Sequence, residues 1–189
     1  MTVWLIAGLG NPGPAYAATR HNAGYLVTDA LAARMGASWK PNRKSRTDIV
    51  EGRLAGERVV LGRARSYMNE SGGPLKALAG FFDVDPEHIV VVHDELDIDF
   101  GRLKLKLGGG DNGHNGLKSL RGSLGTGDFH RVRFGIGRPP GAQTVHDFVL
   151  KPWSSVEKKE LDLNVEDAAD AVESLITRGL VETQSAFNR

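Results

Sequence analysis

The chain of 189 residues contains no cysteine, and this absence excludes several kinds of site. A disulfide framework, a thiol nucleophile and a thiolate metal site all require that side chain. Long apolar runs are missing as well. Stretches such as Ile89 to Val92 are far too short to cross a bilayer, and the N-terminus lacks the basic region of a signal sequence. We therefore expect a cytoplasmic protein that does not enter a membrane.

Prolines are few and charge is not excessive, so the composition is not that of a disordered chain. There are 8 prolines, 40% of the residues are hydrophobic and 25% are charged. A chain of this length and composition is able to bury a substantial core. No repeat, linker or low-complexity tract divides it. We predict a single domain that spans residues 1–189.

The net charge of +1 conceals three segments of opposite sign. Residues 34–65 contain nine basic and three acidic side chains, residues 66–100 contain one and eight, and residues 101–138 contain eight and two. Charge runs of this kind are usually solvated surface, but basic segments also suit an anionic partner such as nucleic acid. Composition alone leaves both interpretations open.

Predicted strands and helices alternate along the chain. Apolar runs predict strands at 2–9, 47–54, 58–64, 89–93, 103–107 and 132–136, and helical spacing predicts helices at 23–35, 71–82, 116–124 and 154–178. This order is typical of an α/β fold with a twisted mixed sheet flanked by α-helices. Along residues 103–107 leucines alternate with basic residues, so one face of that strand is expected to be core and the other basic.

Four polar motifs lie where predicted strands end. GLGNPG at 8–13 matches the dinucleotide-binding fingerprint, but its prolines remove backbone donors and Asp29 falls inside the next helix, which favours a structural turn. Tyr67, Met68 and Asn69 precede the second helix, and HDELD at 93–97 follows a buried strand. GGGDNGHNGLKS at 108–119 contains five glycines, and Asn115 is predicted to cap the following helix.

Sites in open α/β sheets collect at the carboxyl ends of strands, so we expect these motifs to converge. A histidine base, a carboxylate that orients it and amide donors form one reasonable arrangement. A metal site built from His21, Asp94 and His114 is an open alternative, although compact ligand spacing is missing. A Ser-His-Asp hydrolase is disfavoured because the chain has no GxSxG motif.

Seven motifs, in order and covering nearly the whole chain, resemble bacterial peptidyl-tRNA hydrolases. They are GLGNPG, the spaced Tyr16, TRHNAG at 19–24, YMNESG at 67–72, HDELD at 93–97, KLGGGDNGHNGLKS at 106–119 and FHRVRFGIGRP at 129–139. The resemblance implies a monomeric α/β enzyme that uses no metal or cofactor and has no obligate protein partner. Its reaction is hydrolysis of the ester between a peptide and the 3′ ribose of tRNA, and its substrate is recognised at the acceptor stem and the 3′ CCA end.

The resemblance also implies roles for particular residues. The implied catalytic residues are the base His21, its partner Asp94 and Asn11. The implied substrate-binding residues are Tyr16, Tyr67, Met68, Asn69, His114 and Asn115, and the implied tRNA-binding residues are Lys104, Lys106 and Arg133. The sequence departs from the family at position 67, which is usually Phe, and at Asp111 and Asn112, where His or Glu followed by Gly is common. The second departure leaves the conformation of the glycine loop open.

Two other classes remain as alternatives to the hydrolase. A nucleic-acid-binding module would leave the ester of its tRNA ligand intact. A nucleotide-dependent oxidoreductase would gain thermal stability from NAD(P).

Overall fold

Seven strands form one mixed sheet in the computed structural model, which describes residues 2–188. The strands are β1 (Val3–Gly8), β2 (Lys40–Asn42), β3 (Thr47–Leu54), β4 (Glu57–Ala64), β5 (Ile89–Glu95), β6 (Leu103–Leu107) and β7 (His130–Gly135). Their order across the sheet is β2-β3-β4-β1-β5-β7-β6. The pairs β4-β1, β1-β5 and β5-β7 are parallel, whereas β2-β3, β3-β4 and β6-β7 are antiparallel.

Helices cover both faces of this sheet. They are α1 (Ala23–Met35), α2 (Gly72–Phe81), α3 (Asn115–Leu124), α4 (Val145–Val149), α5 (Ser155–Arg178) and α6 (Leu180–Phe187), with 3₁₀ turns at Arg20–Asn22, Met68–Glu70 and Pro86–His88. On one face α1 and α5 pack against alternate strand residues such as Ile6 and Val90. On the other face α2 and α3 pack against their neighbours Leu5 and Val91. The predicted α/β class with a mixed, helix-flanked sheet is confirmed.

Local sequence signals explain several element boundaries. Helix α1 has its predicted bounds and ends at Gly36, which takes a left-handed conformation (φ 64°). The β3-β4 hairpin turns through Ala55 and Gly56, which both have positive φ (51° and 83°), as a two-residue hairpin loop requires. Helix α5 begins with a capping box in which Ser154 and Glu157 exchange hydrogen bonds.

Other boundaries differ from the sequence prediction. Strand β5 continues past His93 through Asp94 and Glu95, because β7 pairs with both of these residues in parallel register. Strand β7 starts at His130 and ends at Gly135, whereas the prediction placed it at 132–136. The short elements β2, α4 and α6 were not predicted, since β2 and α4 are too brief to show a period.

Gly8 of the first motif and Gly24 of the TRHNAG motif serve helix packing. A Cβ at Gly8 would lie 2.5 Å from the carbonyl oxygen of Gly24, and a Cβ at Gly24 would lie 2.4 Å from the carbonyl oxygen of Val92. Glycine at these two positions therefore lets the start of α1 approach β1 and β5 closely. This contact gives Gly8 a structural role, as the structural interpretation of GLGNPG expects. Within residues 2–188, no helix is both long and apolar enough to span a bilayer.

Candidate active site

The carboxyl ends of β1, β4 and β5, together with the loop before α3, border a cavity of about 430 Å³. The nine side chains that were predicted to be catalytic or substrate-binding all line it: Asn11, Tyr16, His21, Tyr67, Met68, Asn69, Asp94, His114 and Asn115. These residues come from four separate segments of the chain. The parallel arrangement of the three strands brings three of the segments to one edge of the sheet. The fourth follows β6, which runs antiparallel to β7, so the loop before α3 has to return to this edge.

Asp94 is buried at the centre of the site and bridges two histidines. Its Oδ2 lies 2.8 Å from Nδ1 of His21, and its Oδ1 lies 2.7 Å from Nε2 of His114. Burial alone would raise the pKa of Asp94, but the two imidazoles and the hydrogen bonds that they donate hold it well below its ordinary value of 3.8. Asp94 is therefore a carboxylate that accepts a hydrogen bond on each oxygen.

His21 has the hydrogen-bonding arrangement of a general base. Because the carboxylate only accepts, Nδ1 of neutral His21 carries the proton and Nε2 has the free lone pair. Within the part of the chain that the structure describes, Nε2 has no hydrogen-bond partner. Burial lowers the pKa of His21, but the charge and hydrogen bond of Asp94 outweigh burial and raise it above 6.5. Asp94 thus favours the imidazolium that forms when Nε2 takes a proton.

His114, not Asn115, caps helix α3. Its backbone is extended, and its Nδ1 accepts hydrogen bonds from the backbone N–H groups of Gly116 (3.1 Å) and Leu117 (3.3 Å). The prediction that Asn115 caps this helix is wrong, because the imidazole already occupies the amides that a cap would satisfy. Asn115 is instead the exposed first residue of α3, on the cavity wall.

Asn11 is held in one orientation by its neighbours. Its Oδ1 accepts a hydrogen bond from the backbone N–H of Met68 (2.7 Å), which assigns Nδ2 as the amide donor on the cavity side. Asn22 holds the Asn11 backbone through two hydrogen bonds of 2.9 Å. Its Oδ1 accepts from the N–H of Asn11, and its Nδ2 donates to the carbonyl of Asn11. Asn22 was not among the predicted site residues, although it belongs to the TRHNAG motif.

The glycine loop is tied to the end of β5 through one of the two departures from the family pattern. Asn112 has a positive φ (51°), and its Nδ2 donates to Glu95 Oε2 (3.0 Å) and Asp97 Oδ2 (2.6 Å). Asp111 closes a local turn by accepting from the N–H of Gly113 (2.9 Å). An asparagine tolerates the left-handed conformation better than most side chains, so Asn112 suits this position and adds contacts of its own.

Comparison with known proteins agrees with this geometry. The model of the peptidyl-tRNA hydrolase family matches residues 5–189. The chain is 60% identical to a peptidyl-tRNA hydrolase of Streptomyces coelicolor over 98% of this chain and 94% of that protein. It is also 60% identical to one of Rhodococcus erythropolis over 97% of each. The chain belongs to the peptidyl-tRNA hydrolase family.

A solved structure extends the agreement to three dimensions. The peptidyl-tRNA hydrolase of Acinetobacter baumannii superposes with a TM-score of 0.90 at 37% identity, over 97% of this chain and 93% of that one. The family resemblance and the enzyme class predicted from the motifs are both confirmed. The roles of the individual site residues stay predictions.

The predicted tRNA-binding residues lie outside the cavity, side by side on β6 and β7. Lys104 is directly opposite Arg133, and Lys106 is opposite Arg131. Lys104 is exposed, whereas Arg133 is only partly exposed and pairs with Glu95 at 3.1 Å. Burial and the two neighbouring guanidinium groups lower the pKa of Lys106. The predicted basic stripe therefore exists, but Arg133 already has an acidic partner.

Two structural features next to this stripe and the cavity gave no clear signal in the sequence. Arg131 is buried and donates to the carbonyls of Gly109 (2.8 Å) and Gly127 (3.0 Å), which anchors the glycine loop. The other feature is α4 with its flank, which adds four residues to the cavity wall: Val145, His146, Val149 and Leu150. Arg20 holds α4 through the carbonyl of Phe148 (3.0 Å) and pairs with Glu157 (2.7 Å).

The mouth of the cavity is aromatic. Tyr16 and Tyr67 meet edge to face with ring centroids 6.0 Å apart, and 56% of Tyr67 is exposed. Met68 is buried beneath them, and Asn69 is exposed at the rim. The Phe-to-Tyr difference at position 67 therefore keeps an accessible ring and places its hydroxyl where solvent can reach the side chain.

The metal alternative involves the same trio of side chains. One ligand atom from each of His21, Asp94 and His114 lies within 4.8 Å of the others. Both carboxylate oxygens and the two nitrogens that face them are joined by hydrogen bonds, and the second nitrogen of His114 is occupied by the α3 amides. This donor set is arranged for hydrogen bonding within the protein, since ligation would require His114 and Asp94 to give up those bonds.

Proposed function

We propose that this peptidyl-tRNA hydrolase cleaves the ester between the peptide and the 3′ ribose of tRNA with Nε2 of His21 as the general base for water. The observation that carries the proposal is the 2.8 Å contact between His21 Nδ1 and Asp94, which leaves Nε2 unprotonated beside the cavity. An ester is reactive enough for a water activated in this way, so the mechanism needs no covalent nucleophile.

His21 can accept and return the one proton that the reaction has to move. Water transfers a proton to Nε2 of His21 while its oxygen bonds to the carbonyl carbon of the ester. The bond from that carbon to the ribose 3′ oxygen then breaks, and the imidazolium returns the proton to the leaving oxygen. Nδ2 of Asn11 is a suitable donor to the oxyanion that develops between these steps. Asp94 stabilises the imidazolium throughout.

The remaining surfaces fit the two ends of the substrate. Asn69 and Asn115 offer amides that pair with a peptide backbone whatever its side chains are. The rings of Tyr16 and Tyr67 offer surfaces on which the bases of the single-stranded 3′ CCA end can stack. Lys104, Lys106 and Arg133 would contact acceptor-stem phosphates, which supplies affinity without reading sequence. It stays a prediction that residues 1–189 form a single functional domain. The cytoplasmic location and the monomeric state also stay predictions.

The direct test is hydrolysis of N-acetylaminoacyl-tRNA, with unblocked aminoacyl-tRNA as the control substrate. We expect selective loss of the blocked ester. His21→Ala should lose nearly all turnover and keep its fold, whereas His88→Ala, which removes an imidazole outside the cavity, should retain activity.

Three results would contradict the proposal. Binding of tRNA with an intact ester would indicate a nucleic-acid-binding module. Near-normal turnover of His21→Ala would exclude this base. Loss of activity with chelator and recovery with added Zn²⁺ would favour the metal alternative.

A further inference from the structure

His114 makes hydrogen bonds through both ring nitrogens, and the partners of one of them assign its proton. Nδ1 lies 3.1 Å and 3.3 Å from the backbone nitrogens of Gly116 and Leu117. Backbone N–H groups only donate, so Nδ1 is the acceptor and carries no hydrogen. In the neutral ring the proton must then be on Nε2, 2.7 Å from Oδ1 of Asp94, where it donates to the carboxylate.

We propose that His114 is a positioning residue, locked by the first amides of α3 as the neutral Nε2–H tautomer. It orients Asp94 and leaves His21 as the only member of the trio that takes up a proton during catalysis. This inference rests on the proposed role of His21. It gives His114 a function in addition to its predicted role in substrate binding.

A proton on Nδ1 of His114 would be opposed from several sides. It would break two hydrogen bonds, face two N–H donors and add positive charge at a helix N-terminus, where the dipole disfavours cations. Packing also allows the ring to lie close to the start of α3. A Cβ at Gly116 would lie only 3.1 Å from Cε1 of His114 and 2.5 Å from the sulfur of Met68, so the glycine permits this close approach.

The titratable neighbours of His114 leave Asp94 as its charge partner. The ring of His21 lies 5.0 Å away and that of His93 lies 5.2 Å away. Burial lowers the pKa of His93 to about 3, so His93 is neutral. In the loop, the carbonyl of Asp111 accepts the N–H of His114. One turn along α3, Lys118 is exposed.

Nitrogen-15 spectra of the imidazoles in the wild-type enzyme test the tautomer directly. We expect the His114 signals of an unprotonated Nδ1 and a protonated Nε2 in the active enzyme. The His21 signals should titrate over the acid limb of the activity profile, and the limb should fit a single proton. A protonated Nδ1 on His114, or a limb that requires two protons, would overturn the proposal.

The variant His114→Asn separates the two contacts of the side chain. Asparagine is a good helix cap, so the α3 amides keep an acceptor, but its side chain is too short to reach Asp94. We expect kcat to fall by about 10- to 100-fold, which is typical when a side chain that orients a functional group is lost. KM should stay within about twofold of the wild-type value. The acid limb should move to higher pH, because Asp94 loses a donor and attracts the proton on His21 more strongly.

His114→Ala removes both contacts and should add a loss of thermal stability, whereas His88→Asn serves as the matched control outside the cavity. An unchanged pH profile in His114→Asn, with the defect confined to KM, would show that His114 only contacts substrate. Failure of this proposal is distinguishable from failure of the proposed function. The first leaves His21→Ala inactive, and the second does not.

Discussion

Replacement of Asp94 by asparagine tests the hydrogen-bond arrangement of the site more severely than removal of any other group. Asp94 receives N–H groups from His21 on Oδ2 and from His114 on Oδ1. Asparagine offers one oxygen and one NH₂ group, so only one imidazole can keep its bond without a change of tautomer. The α3 amides hold the tautomer of His114, and we therefore expect the amide oxygen of the new side chain to face His114. His21 is then left facing the NH₂ group.

This orientation would exchange the roles of the two ring nitrogens of His21. Nδ1 of His21 would become an acceptor, and Nε2, the nitrogen that should take a proton from water, would carry a hydrogen. The imidazolium would also lose its carboxylate. At about 4 Å between charge centres and an effective dielectric of 20, that interaction is about 4 kcal/mol, or roughly 10³-fold in rate. Replacing the aspartate of a serine protease triad by asparagine costs about 10⁴-fold for the same tautomeric reason. We expect kcat of Asp94→Asn to fall by about 10³- to 10⁴-fold.

The assay is the pH dependence of kcat and kcat/KM for N-acetylaminoacyl-tRNA. The sign of the shift follows from the two influences on His21. Burial lowers the pKa of His21 and Asp94 raises it, so removal of the carboxylate leaves burial unopposed. Residual activity in Asp94→Asn should consequently extend to lower pH than in the wild type.

Asp83→Asn is the matched control, because it removes the same charge at the opposite edge of the sheet, beside the start of β1 and β5. It should leave both the rate and the profile unchanged. Retention of more than about a tenth of wild-type kcat in Asp94→Asn, or an acid limb that stays in place, would refute this account of the site.

Two further predictions concern binding and the oxyanion. Lys104→Ala and Lys106→Ala should weaken tRNA affinity alike for all tRNA sequences and lower the slope of log affinity against log salt by roughly one each, measured by salt titration of tRNA binding. Arg133→Ala should lower the slope less, because Arg133 pairs with Glu95. Equal slopes in all variants and the wild type would show that these residues are solvated surface with no role in tRNA binding. Asn11→Ala should reduce kcat by roughly tenfold to a thousandfold, measured on saturating substrate, and full activity in a folded Asn11→Ala enzyme would reject its role as a donor.

Local physics accounts for the parts of the molecule that were predictable from the sequence. Helix α1 was predicted to the residue, because a left-handed glycine marks its end. The β3-β4 hairpin was predicted with a connection of three residues, one longer than the two-residue turn that forms. The convergence of three motifs was also predictable, since β1, β4 and β5 are parallel and bring their carboxyl ends to one edge. The same argument does not apply to the glycine loop, because β6 is antiparallel to β7. Family resemblance supplied the identities of the nine cavity residues.

The sequence by itself therefore determined the main strands and helices, the edge of the sheet that holds the site and, through the family motifs, nine of the side chains that reach it. Tertiary structure alone decided how each polar atom is used. The bonds of Asp94 join residues 73 and 20 positions apart, and the bond that orients Asn11 spans 57. No local pattern indicates that His114 caps α3 or that Arg133 pairs with Glu95. A buried polar group takes whichever partner packing brings within about 3 Å, and that choice exists only once the chain has folded.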